Sequence, residues 1–165
     1  MFDVVAKAGL SGVEFGPEPA DWRTALDAFG SAREIVSALR QRGLQACSAY
    51  VPGREIVQPA LEEGREGRRR CERYMSVLSD FLSEVGGGVV VVGNLSRLTS
   101  GAANGATNRP LPPRDHADLQ ERYCSEVNGL GRIAGEGQVS LALHTDAYSL
   151  CSRPDDVAAV MRLTD

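Results

Sequence analysis

Gly88-Val89-Val90-Val91-Val92-Gly93-Asn94 sets four valines in a row between glycines. A strand apolar at both parities is covered on both faces, which is the habit of α/β sheets rather than of half-solvated antiparallel ones. The flanks agree. On the N-terminal side, Cys71, Tyr74, Met75, Leu78, Leu82 and Val85 recur at helical steps and make one apolar face, closed by Gly86. On the C-terminal side, a segment from Asn94 to Arg114 is rich in glycine, proline and asparagine. A loop of that length either covers a site or is an insertion. Beyond it Leu119, Tyr123, Val127 and Leu130 form a second helical face before Gly135.

The same unit recurs outward along the chain. A helical stretch ends at glycine, a short apolar run follows, and small or polar residues close it. The runs begin at Gly12, Gly43, Gly88 and Val139, at intervals of 31, 45 and 51 residues. These intervals are too long for hairpins and suit parallel strands joined by helical crossovers. The reading predicts strands near 12–15, 44–49, 88–93 and 139–143. It predicts helices around Ile35, Val36 and Leu39, and after Pro154, where Val157, Val160 and Met161 would be the buried face. Met1–Ala8 reads as the end of a helix with no strand before it, and a further strand is expected after Asp165.

The 165 residues suit one domain, spanning 1–165. Apolar residues are 42% and charged residues 24%, the balance of a folded globular chain. The net charge of −4 lacks the basic footprint of a nucleic-acid binder. No apolar stretch is long enough to span a bilayer, and Asp3 and Lys7 interrupt any signal-peptide pattern. Cysteines at 47, 71, 124 and 151 have neither zinc-finger nor CxxC spacing. These features set the expectation of a cytoplasmic protein without disulfides, acting on neither nucleic acid nor membrane.

In a parallel sheet the strand exits converge on one end, where α/β active sites lie. Here the exits carry Glu14; Ser48 and Tyr50; Asn94; and His144 with Asp146. Glu14 sits between Val13 and Phe15, so it is either paired at a site or a strand glutamate facing solvent. His144 and Asp146 are two apart and share one side of an extended chain, a pairing that suits zinc, manganese or iron. The alternative is a hydrogen-bonded histidine at a strand end. His116, beside Asp115 and Asp118, reads as a surface or capping residue. Gly129-Leu130-Gly131-Arg132-Ile133-Ala134 follows a helix, not a strand, and is not a dinucleotide fingerprint.

Several of these stretches resemble the xylose isomerase-like TIM barrels, the sugar phosphate isomerases/epimerases with inosose dehydratases and hydroxypyruvate isomerases. Ala8-Gly9-Leu10-Ser11-Gly12-Val13-Glu14-Phe15 is similar to the approach to their second strand. Arg42-Gly43-Leu44-Gln45-Ala46 is similar to the approach to their third. Val139 to Asp146, followed by Ser152-Arg153-Pro154-Asp155-Asp156-Val157, is similar to their fifth strand and the helix after it. The resemblance implies a partial (β/α)8 TIM barrel of about four parallel strands with outer helices, equivalent to strands two to five. It implies a divalent metal (Mn, Mg, Zn or Co) at the mouth. His144 stands where the family commonly has glutamate, and the later ligands would fall beyond Asp165.

The function implied is metal-dependent isomerisation, epimerisation or dehydration of a sugar, polyol or sugar phosphate. Glu14 would be the catalytic carboxylate, Tyr50 and Asn94 the substrate contacts, and His144 with Asp146 the metal ligands. Two other readings stand beside it: a non-catalytic fragment or binding module of the same fold, and a metal phosphodiesterase of the endonuclease type. The second needs more histidines than the two present. A sheet of four strands leaves two edges, so self-association through them, and no activity from this chain alone, are expected.

Overall fold

The four apolar runs are four strands of one sheet in the computed structural model, which describes residues 2–17, 21–95, 98–99, 109–110, 113–145 and 149–164. In chain order the elements are α1 (Phe2–Lys7), β1 (Gly12–Phe15), α2 (Trp22–Phe29), α3 (Ala32–Arg40), β2 (Gln45–Val51), α4 (Gly53–Ile56), α5 (Gln58–Glu62), α6 (Gly64–Val85) and β3 (Val89–Val92). There follow β4 (Leu98–Thr99), β5 (Arg109–Pro110), α7 (Pro113–Glu136), β6 (Ser140–Leu143) and α8 (Pro154–Leu163). The main sheet runs β1-β2-β3-β6, every neighbouring pair parallel, in sequence order. Within the long Asn94–Arg114 segment, β4 and β5 pair antiparallel in a separate two-stranded ladder. Most of that segment, and with it the question of whether it covers a site, lies outside the described residues.

The helices cover one face of the sheet. Val13, Phe15, Ala46, Ala49, Val51, Val90 and Val92 are buried against them, with Ile35, Leu39, Met75, Leu78, Leu82, Tyr123 and Val127 filling the layer between. The other face is open: Glu14 and Cys47 are exposed, and Tyr50, Val89 and Val91 are half-buried. The four valines are therefore not equivalent. Two are core, and two line the open side, where a closed barrel would pack further side chains. That is narrower than the two-sided cover expected of them.

Glycine ends the main helix before the sheet: α6 stops at Gly86, whose φ of 80° is left-handed and whose N–H returns to Leu82. α8 starts as its sequence suggests, with Pro154 in the first turn and the Asp156 carboxylate accepting from the Arg153 N–H at 3.1 Å. Its buried face is thinner than expected. Val160 is buried and Val157 half-buried, but Met161 is 74% exposed, because α8 lies at the edge of the sheet with nothing on its far side among the described residues. His116 is not a plain surface residue. Its Nε2 lies 3.1 Å from Asp156 Oδ1 and ties α7 to α8. No helix among the described residues is long and apolar enough to cross a membrane.

Candidate functional site

β2 carries an irregularity that decides which side chains reach the open face. Val13 is opposite Ala46, but Glu14 is opposite Ser48, so Cys47 is an extra residue in the strand. Strict alternation from the buried Ala46 would turn Ser48 and Tyr50 into the helix layer. The bulge resets the parity: Ala49 and Val51 are buried instead, and Ser48 and Tyr50 look out beside Glu14. The Ser48 hydroxyl donates to Glu14 Oε2 at 2.6 Å, which fixes the carboxylate on the open face.

Tyr50 reaches across the next strand. At Gly93, the first residue after β3, a Cβ would fall 2.5 Å from the Tyr50 hydroxyl oxygen, so only glycine leaves room for the ring. The buried Tyr123 hydroxyl donates to the Gly93 carbonyl at 3.3 Å and holds this crossing point from behind. Beyond it the Tyr50 ring meets His144 edge to face, centroids 5.5 Å apart at 81°. The His144 N–H donates to the Val92 carbonyl at 2.9 Å, continuing the ladder by one residue and setting the imidazole at the exit of β6. The exits of β2, β3 and β6 thus form one contiguous patch of Tyr50, Gly93 and His144. Glu14 stands on the same face but on the opposite edge strand, so Glu14 and His144 flank the open side.

Asn94 is turned away from this patch. One residue past Gly93, it shares the parity of the buried Val92; its Oδ1 accepts from the Leu95 N–H at 3.2 Å, and its amide nitrogen is buried beside the Cys151 thiol. Burial pushes that thiol up, the Asp156 charge adds to the effect, and the Asn94 amide opposes it. Asp146 lies outside the described residues.

The sequence reading passed over a cleft at the exits of β1 and β2. About 400 Å³ in volume, it is walled by Trp22, Arg23, Tyr74, Arg54 and Tyr50. Trp22 donates from Nε1 to the Tyr74 hydroxyl at 3.3 Å, and the Arg23 guanidinium lies 4.7 Å from the Tyr74 ring centre and 5.2 Å from that of Trp22. Tyr50 belongs to both the cleft and the His144 contact. The one clue in the sequence was its single tryptophan, set beside an arginine just after the first strand. A larger hollow, about 660 Å³, lies elsewhere: a trough where α7 and α8 leave Leu141 and Leu143 of β6 half-covered. It has no part of the Tyr50–His144 patch.

Among the described residues no three His, Cys, Asp or Glu side chains come together as a cation would need. His144 contributes one imidazole, and Glu14 is across the sheet and bonded to Ser48. The described donor set does not make a divalent-metal shell.

No protein-family model matches the chain, and no curated protein matches it. Solved structures do. A xylose isomerase-like TIM barrel protein from Mycobacterium smegmatis, in complex with magnesium, aligns with TM-score 0.65 and 17% identity over 98% of this chain and 50% of its own. The IolI protein with a bound zinc atom aligns with TM-score 0.69 and 10% identity over 97% and 51%. The 3-keto-D-glucoside 4-epimerase YcjR from E. coli aligns with TM-score 0.62 and 18% identity over 90% and 51%. This chain thus spans about half the length of the structures it matches. Four consecutive parallel strands, helices on one face and these alignments make it an α/β chain with the fold of the xylose isomerase-like TIM barrels, over about half of a barrel.

Proposed function

We propose, against the expectation that this chain alone is inactive, that it acts in isomerase- or epimerase-type chemistry on a small sugar or polyol, held on the open face between Glu14 and His144. The observation that carries this reading is the meeting of Tyr50 and His144 over Gly93 at the strand exits, in a fold whose solved examples include a sugar epimerase. Isomerisation or epimerisation beside a carbonyl needs a base for the carbon-bound proton and a donor for the carbonyl oxygen. Glu14, oriented by Ser48, is the base in this proposal. The proton leaves the carbon for the carboxylate, and the electron pair moves onto the carbonyl oxygen. Tyr50 or His144 donates a hydrogen bond to that oxygen from the other side. No step of this reading runs through a metal ion.

The test is exchange of substrate carbon-bound hydrogen in D2O, followed by NMR across a panel of ketoses and ketose phosphates with the full chain. The reading expects deuterium beside the carbonyl of at least one compound. It expects Glu14→Gln and His144→Ala to lower the rate by about 10²-fold or more. Exchange that survives both substitutions, or exchange with none of the panel, would overturn it. Saturable binding without exchange would favour a binding module instead.

A further inference from the structure

Arginine is the side chain best shaped to grip a phosphate or carboxylate, because its planar fork offers paired N–H donors and never loses its charge. Two arginines, Arg23 and Arg54, line the cleft beside Tyr50. Arg23 is held by ring faces, over both Tyr74 and Trp22. A π-face neutralises no charge, so the two rings position the guanidinium while leaving its charge intact. No carboxylate among the described residues pairs with Arg23. Two acids share the cleft. Asp21 is buried and accepts from the Thr24 N–H at 2.7 Å, and Glu55 pairs with Arg54 at 3.9 Å. The rings are themselves fixed by the Trp22–Tyr74 hydrogen bond and by packing of Trp22 on Phe81 at 5.4 Å. The result is a cation held by two rings, with no counter-ion among the described residues, in a cleft that Tyr50 also lines.

We infer that this cleft is an oxyanion subsite, in which Arg23 binds the phosphate or carboxylate end of the sugar whose other end reaches Tyr50 and His144. The inference rests on the proposed sugar chemistry for that far end, and adds the substrate class: an anionic sugar rather than a neutral one. Phosphate and carboxylate share the recognition chemistry, and the ligands tested separate them.

Trp22 is the only tryptophan, so its emission reports this cleft directly. The full chain is titrated at constant ionic strength with a ketohexose 6-phosphate, a hexuronic acid, inorganic phosphate and the neutral ketohexose, with isothermal calorimetry as a second readout. The phosphate ester or the acid is expected to change Trp22 emission saturably and to bind at least tenfold more tightly than the neutral sugar. Arg23→Gln should remove that preference. Arg23→Lys should restore little of it, because an ammonium lacks the fork. Equal affinity for charged and neutral sugars, or an unchanged preference in Arg23→Gln with a native circular dichroism spectrum, would overturn the subsite. The two proposals fail separately. Anion binding lost in Arg23→Gln, without deuterium exchange on any ketose, would leave the subsite standing and the isomerase reading refuted. Exchange on neutral ketoses that ignores Arg23→Gln would do the reverse.

Discussion

Gly93 is the residue on which the candidate site turns. Its missing side chain is the space in which Tyr50 crosses β3, and its carbonyl is the acceptor of the buried Tyr123 hydroxyl. Gly93→Ala should therefore push Tyr50 aside at a cost of about 1–3 kcal/mol, the range of an overpacked contact. It should also separate the Tyr50 and His144 rings. Urea unfolding gives the first quantity. Loss of the ring-current shift on the His144 imidazole signals gives the second, and an unchanged spectrum would mean the rings do not touch in solution. Glycine before asparagine at a strand exit reads in sequence as a stop signal and nothing more. What Gly93 accommodates is a side chain from another strand, 43 positions earlier in the chain (93 − 50), and no local pattern encodes that. Asn94 illustrates the same point: one step past Gly93 the pleat turns it to the side of Val92, toward Cys151.

The elements themselves were legible. Val89–Val92 announced a buried parallel strand, and the helical face from Cys71 to Val85 ended at a glycine that does adopt the left-handed conformation. The spacing of the four runs implied crossovers, and all three strand pairings are parallel. The bulge in β2 was not legible. Gln45-Ala46-Cys47-Ser48-Ala49-Tyr50 alternates small and polar residues too weakly for its period to reveal one extra position. That position aims Ser48 and Tyr50. Deleting Cys47 should give a regular strand in which Ala46, Ala49 and Val51 stay on the buried side and Ser48 and Tyr50 stay on the open one. We expect the deletion, like Cys47→Ala, to cost only about 0–1 kcal/mol, because neither change alters which side chains are buried. Thermal unfolding of the two variants checks this. A loss of more than about 3 kcal/mol on deletion alone would show that the bulge itself is needed to hold the strand. The Trp22–Tyr74–Arg23 cluster was hidden for the opposite reason: each residue lies in an ordinary helical pattern, and only the packing of α2 on α6 brings positions 22 and 74 together.

Across the whole molecule the sheet has two unlike faces. One carries the core; the other carries Glu14, Tyr50 and His144 and is bounded by the edge strands β1 and β6. The central claim is that ligands of this chain are handled on that open face, at the strand exits. The chain has two histidines, one for each outcome. His144 is on the open face beside Tyr50, and His116 is on the outer layer, bonded to Asp156. Imidazole proton–nitrogen correlation spectra resolve both. Titrated with the ketohexose 6-phosphate, the His144 signals should move saturably while those of His116 stay in place. Movement of His116 alone, or of neither while the sugar demonstrably binds, would contradict the account.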